Sequence, residues 1–286
     1  MSYLERIQAC HGFDRSDYLD FVIADEVMGL TRPQFAEQLL RWEDVFQLNN
    51  NQLLLNPNLN NFEQRTQAVD PIMRQLHEEG VIPSWVEEPY AVSHQFDEKP
   101  RMAVERAAAS YLGVRSYGIH INGLVQKADG IYNWVAVRAK AKPFWPGKYD
   151  QMVAGGQGIG ISLMDNVIKE SAEEADIAED IASQAQQRTT LHYCTASNRG
   201  ISMDSLFNYD LWLPEDFTPV NTDGEVDEFI LMPLEQLAEI IDTTDQFKSN
   251  CNLVNIDLLI RSGVISGSHP EFKAMTDLLY APAVRL

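Results

Sequence analysis

Glu170, Glu173 and Glu174 follow Gly155-Gly156 at a short, fixed distance, and their spacing is the strongest chemical signal in the chain. If Leu163 to Ala175 is helical, the three acids are related by i,i+3 and i,i+4 steps and share one face. Carboxylates crowded in this way repel one another unless they face water or a cation. Hard divalent cations such as Mg²⁺ or Mn²⁺ take carboxylate, water and phosphate oxygens. Glycines in front of the helix let the backbone turn and approach a ligand closely. The stretch therefore suggests either a solvated acidic face or a metal site for a phosphorylated substrate, with Glu170, Glu173 and Glu174 as ligands and Gly155 and Gly156 against the substrate.

The net charge of −20 repels nucleic acid and anionic membrane, and it would repel a free diphosphate as well. A bridging cation and a local basic patch would offset that. Arg138, Lys140, Lys142 and Lys148 lie in a stretch without an acid. Arg138 and Lys142 are the candidates for phosphate oxygens, since a guanidinium fork matches them well; the alternative is a set of solvated or ion-paired strand ends. Trp145, between Pro143 and Pro146, could stack on a heteroaromatic ring or pin its loop. His120 and Trp134 read as core residues of their strands.

The remaining composition excludes other classes. With 45% hydrophobic and 9% aromatic residues, the chain can bury a real core. No apolar run reaches the roughly 18 residues of a membrane span. The N-terminus shows no secretory pattern. Cys10, Cys194 and Cys251 are scattered and odd in number, which argues against a disulfide framework or a zinc site and for a reducing, cytoplasmic setting.

The elements expected to position these residues fall into two groups. Residues 1–95 read as an N-terminal accessory module, with helices over 16–27, 32–42 and 66–79 and a short strand at Leu53-Leu54-Leu55. Two prolines between 89 and 100 mark the boundary. Residues 96–286 then give a helix over 101–112 stopped by Gly113, strands at 117–125 and 132–138 around Ala128-Asp129-Gly130, and a short strand over 151–154 that leads into the glycines. The acidic helix follows, then a helix over 177–186, strands at 189–195, 206–213 and 228–232, and a helical C-terminal extension.

The order strand, Gly-Gly, acidic helix, strands resembles the Nudix hydrolases, whose box carries a glycine, a glutamate, and then Arg-Glu-U-x-Glu-Glu-x-Gly-U with U a large aliphatic residue. Aligned on Gly155, the box has Ile161 for the glutamate, Lys169 for the arginine, Ser171 for an aliphatic and Asp176 for the closing glycine. Lysine keeps the charge but loses the fork. The chain resembles one subfamily more strongly: the Nudix module found ahead of thiamine pyrophosphokinase in fused proteins, which carries its own N-terminal domain. That likeness runs through Arg65-Thr66, Val104-Glu105-Arg106-Ala107, Tyr117 to Gly123, Trp134 to Arg138, Pro146 to Asp150, Val153 to Gly156, Asp223-Gly224-Glu225 and Leu259 to Gly263.

The resemblance implies an α/β fold, a Nudix α/β/α sandwich with a mixed sheet beside a smaller N-terminal α/β module. It implies hydrolysis of a small-molecule diphosphate with Mg²⁺ or Mn²⁺, with Glu174 or Glu225 as the base and Glu228 as a further acid nearby. It also implies the substrate: thiamine diphosphate and its oxidised, damaged forms such as oxothiamine or oxythiamine diphosphate, cleaved to the monophosphate and phosphate. An isomerase of the isopentenyl diphosphate type, or a Nudix-fold ligand sensor without catalysis, would share the architecture. The N-terminal module is expected to shape the pocket, support a homodimer, or both.

Overall fold

A computed structural model describes all residues, 1–286. The first α-helix, α1 (Tyr3–Gln8), is closed at its start by a reciprocal Ser2/Glu5 cap. Strands β1 (Leu19–Ile23) and β2 (Glu26–Thr31) follow, then α2 (Pro33–Leu39), β3 (Phe46–Asn49), β4 (Gln52–Leu55) and α3 (Phe62–Glu78). The four strands form a sheet of order β2-β1-β4-β3, with β1 and β4 parallel. Ser16 to Val27 is therefore not the expected helix. Its apolar residues fit either period, but Ala24 and Asp25 take positive φ values of 50° and 67° and turn the chain back into β2.

Next come β5 (Pro89–Val92), β6 (Met102–Glu105) and α4 (Arg106–Leu112). The helix expected from Arg101 thus starts later, because residues 102–105 pair with β5. This hairpin straddles position 95. The apolar core around α3 and the first sheet runs on through Met102, Leu112 and Val114.

The second sheet is built from β7 (Arg115–Lys127), β8 (Gly130–Arg138), β9 (Tyr149–Gln151) and β10 (Val153–Gly156) before the acidic helix α5 (Leu163–Ala175) and the short α6 (Glu179–Ala182). It is completed by β11 (Gln186–Ser197), β12 (Gly200–Trp212) and β13 (Val226–Pro233). The order is β11-β12-β7-β8-β13, with β12 parallel to β7 and the other pairs antiparallel. One edge of β7 is shared: its first half pairs with β10 and its second half with β8. The expected helix over 177–186 shrinks to α6, because Gln186 and Gln187 are drawn into pairing with Asp210 and Tyr209.

Alternation along the strands sends side chains to two cores, one per face. Ile119, Ile121, Trp134 and Val153 pack with Val167 and Ala175 of α5. On the other face, Leu124, Val135 and Met232 pack under α1 and the helices α7 (Leu234–Thr243), α8 (Ser249–Arg261) and α9 (Phe272–Leu279). The expected α/β fold, helices on both faces of a mixed sheet, is the one observed. No helix is long and apolar enough to cross a membrane.

Candidate active site

β10 delivers Gly155 and Gly156 to the edge of β7, opposite Ile119 and Gly118. Successive residues face opposite ways. A Cβ on Gly155 would overlap the carboxyl group of Glu170, and one on Gly156 would overlap the hydroxyl of Tyr90 and lie 3.3 Å from Cζ of Arg106. Glycine is required here for packing room rather than for an unusual φ. Because the group blocking Gly155 is the end of a flexible side chain, Gly155→Ala is expected to displace Glu170 at a stability cost of about 1 kcal/mol or less, with a much larger loss of activity. Calorimetry alongside rate measurements checks this; a fall in melting temperature that matches the fall in rate would contradict it.

Helix α5 starts at Ser162, whose hydroxyl accepts from Asp165 N at 3.1 Å, and ends at Asp176 in the left-handed region, φ 53°. Asp176 thus takes the helix-ending position that glycine most often fills; aspartate is among the few other residues that tolerate it.

The three glutamates do not form one cluster. Lys169 Nζ lies 3.0 Å from Glu170 and 3.3 Å from Glu173, neutralising that pair. Glu174 turns to β10 and accepts from Ala154 N at 2.8 Å. Its carboxylate groups instead with those of Asp223 and Glu225, all ligand oxygens within 4.8 Å of one another. The loop carrying these acids is stitched to α5: Val220 N donates to Ala175 O at 3.1 Å, and the Thr222 hydroxyl donates to Glu173 O. Common helical spacing put the glutamates on one side; like-charge repulsion and the Lys169 ammonium divide them.

Burial pushes the Glu174 carboxyl well above the usual range; the Ala154 bond opposes this, while Asp150, Glu170 and Glu225 add to it. Burial also raises Glu170, against the pull of Lys169. Such a set of hard oxygen donors, short of positive charge, fits a divalent cation.

A narrow cavity holds Glu174 and Glu225 together with Arg138, Asp150, Gln151 and Ala154. A wider cleft, about 500 Å³, lies elsewhere, between the start of α3 and residues 99–101. Of the two readings of the basic patch, the ion-paired one describes most of it in this structure. Arg138 Nη1 bonds Asp150 Oδ2 at 2.8 Å and Nη2 donates to Phe144 O at 3.1 Å. Lys142 pairs with Glu225, and Lys148 reaches Asp245. The carboxylates that pair with Arg138, Lys142 and Lys148 come from β9, the 221–225 loop and Asp245, so local sequence around the patch could not show this. Trp145 is 45% exposed in the loop between Arg138 and β9, with φ 55°. Asp150, Asp223, Tyr90 and Arg106 were not singled out for the site. They come to it through strand pairing and long-range packing, which spacing does not reveal.

All three cysteines are buried and unpaired. Burial pushes the Cys10 and Cys194 thiols up to about 12. None of the three lines the cavity of Glu174 and Glu225, which removes the acid-base thiol an isomerase reading requires.

A helix-flanked mixed sheet carries the paired-glycine strand, the acidic helix behind it and the converging acidic loop. Residues 2–116 match the family model described as a domain of unknown function, DUF4743. The chain is 37% identical to Nudix hydrolase 24, chloroplastic, of Arabidopsis thaliana over 94% of its length and 75% of that protein. It is also 37% identical to Nudix hydrolase 20, chloroplastic, of the same plant, over 96% and 76%. Among solved structures it is similar to the NUDIX domain of Shewanella oneidensis NrtR complexed with ADP ribose, at 13% identity and a TM-score of 0.39, covering 51% of this chain and 90% of that one. The chain belongs to the Nudix hydrolase family. It is accordingly a pyrophosphohydrolase.

The expected cytoplasmic setting is corrected by these relatives, which are named as chloroplastic. Buried, unpaired cysteines do not mark one compartment over another.

Proposed function

We propose that this Nudix hydrolase cleaves thiamine diphosphate-like substrates, preferentially oxidised and damaged forms, to the monophosphate and phosphate with Mg²⁺ or Mn²⁺. The observation that carries the metal-dependent step is the meeting of Glu174, from the box helix, with Asp223 and Glu225 beside the Gly155-Gly156 strand. The substrate class rests on the likeness to the module fused to thiamine pyrophosphokinase.

Glu174, with Glu170 and Glu173 released from Lys169, would hold the cation; when bound, it would supply a more acidic water and screening of the diphosphate charge. Glu174 or Glu225 takes the proton of that water. Arg138 and Lys142 meet the phosphate oxygens; Lys142 exchanges its ion pair with Glu225 for one with the substrate. Gly155 and Gly156 allow close approach of the backbone. Trp145 stacks on the heteroaromatic ring. The chain is read as two modules, with the accessory module extending past residue 95 to about Val114, where its core ends.

The test is turnover of a panel: thiamine, oxothiamine and oxythiamine diphosphates against ADP-ribose and nucleoside diphosphate sugars, each with Mg²⁺ or Mn²⁺. Orthophosphate and the thiamine monophosphates are the expected products, with the oxidised forms fastest and activity lost on chelation. Faster cleavage of the nucleotide compounds would overturn the substrate. Trp145→Ala is expected to raise KM for the ring-bearing diphosphates by roughly five-fold, the loss of about 1 kcal/mol of stacking. An unchanged KM would remove Trp145 from the pocket.

A further inference from the structure

We propose that Asp150 is a positioning residue for substrate binding: it aims the Arg138 guanidinium into the cavity shared with Glu174 and Glu225. The proposal rests on the reading of Arg138 as a phosphate ligand and names what makes that ligand effective.

Asp150 is buried, at 5% exposure, on β9 directly beside β8, where it pairs with Ala136 two residues before Arg138. Its carboxylate is surrounded by donors. Oδ2 takes Arg138 Nη1 at 2.8 Å and faces Lys248 Nζ at 3.5 Å; Oδ1 accepts from Gln151 N at 3.0 Å and from the Cys251 thiol at 2.9 Å. A carboxylate so enclosed has one orientation, and it fixes the guanidinium from one side while Phe144 O fixes it from the other at 3.1 Å. A guanidinium has five N–H groups, and these two contacts commit only two. Nε is buried without a partner. Since Arg138 and Asp150 both line the cavity of Glu174 and Glu225, the uncommitted donors are held beside the place where a diphosphate meets the cation. A buried donor without an acceptor is costly, so this guanidinium still lacks part of its hydrogen bonding.

His120, Asp150 and Cys251 bring metal-type atoms within 4.8 Å, but their chemistry is not that of a second cation site. The positive charge Asp150 requires is already supplied by Arg138 and Lys248. Burial holds the His120 pKa down at about 4 and pushes the Cys251 thiol well up, so the imidazole is neutral and the thiol stays a donor. The arrangement is an ion-pair mount for one guanidinium.

The experiment is calorimetric titration of the full chain with inorganic diphosphate in the presence of Mg²⁺, with melting temperature followed for each variant. Arg138→Met and Asp150→Asn are each expected to weaken binding by about ten-fold or more, the loss of a charge-assisted contact. The double variant should bind no worse than Arg138→Met alone, because Asp150 acts only through Arg138. Lys248→Met, which leaves the Asp150–Arg138 pair intact, should bind within about three-fold of wild type. Additive losses in the double variant, or a folded Asp150→Asn protein that binds normally while Arg138→Met does not, would overturn the proposal. An Arg138→Met protein with unchanged affinity would instead reject Arg138 as a phosphate ligand and the proposal with it. If Asp150→Asn fails to fold, Asp150→Glu decides on the same criteria, since it keeps the charge and shifts the mount by one methylene.

Discussion

Replacing Glu174 by glutamine is expected to lower kcat by about a thousand-fold, the scale of losing a positioned proton acceptor, while the fold survives. The amide oxygen can still accept from Ala154 N, the bond that docks α5 on β10. The carboxylate cannot be replaced in its other role, because Glu174 is the one box glutamate that meets the acids of the 221–225 loop. Burial already disfavours its ionised form, so glutamine removes an electrostatic cost and the melting temperature at neutral pH should be equal or higher. Kinetics with Mn²⁺, Mn²⁺ titration and calorimetry together check this. A kcat within ten-fold of wild type would show that neither the cation nor the base depends on Glu174. Glu225→Gln, made in parallel, separates the two roles: its partner is Lys142, so a comparable loss of kcat with retained Mn²⁺ affinity would mark Glu225 as the base.

The contrast between Glu174 and its neighbours shows what was legible beforehand. Helical spacing gave α5 correctly and placed Glu170, Glu173 and Glu174 on one side of it. The sequence reads the glycines as positions of close approach to a ligand; the groups the structure places against them are the protein's own Glu170 and Tyr90 side chains. Asp176, a departure from the box, closes α5 in the left-handed region that favours glycine. Spacing is blind to the partner that each carboxylate finds. Lys169 is adjacent in sequence to Glu170 and could have been anticipated. Asp223 lies far along the chain from Glu174, and only the seam from Val220 and Thr222 to the end of α5 brings them together.

The same limit explains the errors in the first module. Tyr18, Phe21 and Val22 satisfy a helical period, and no Asn-Gly or Asp-Gly marks the turn at Ala24-Asp25. The strand pairing with β4 that settles the matter comes from a distant segment. The boundary read at the prolines near 95 met a similar problem. Pro89 and Pro100 flank a hairpin that belongs to the first module's core, and Tyr90 and Arg106 carry that module to the back of Gly156. The first module is therefore part of the wall behind the Gly155-Gly156 strand.

Arg261→Met is expected to lower stability by about 3–5 kcal/mol without changing kcat well below the melting point. Arg261, on α8, makes a fork to Asp210 on β12 at 2.7 and 3.0 Å and bonds Asp257 at 2.8 Å. Both acids are buried, with side chains 4% and 0% exposed. Asp210 would keep Arg188 at 3.2 Å and the Asn122 amide at 3.0 Å. Asp257 would keep only the hydroxyls of Thr189 and Tyr280, each at 3.0 Å, and no cation. A buried carboxylate stripped of its counter-charge is the costly outcome, more so than the loss of an attractive pair. The penalty falls on α8 and on the C-terminal segment anchored by Tyr280. Catalysis should be spared because Asp210 pairs with Asn122, beyond the stretch of β7 that holds Gly155 and Gly156. A loss of this size corresponds to a fall of roughly 6–20 °C in melting temperature for a chain of this length. Adding Asp257→Asn should recover a large part of it, since the amide needs no counter-ion. If the single variant melts within about 2 °C of wild type, the Asp257 charge is stabilised by something other than Arg261. If the double variant recovers nothing, the loss comes from the packing of the arginine stem rather than from its charge.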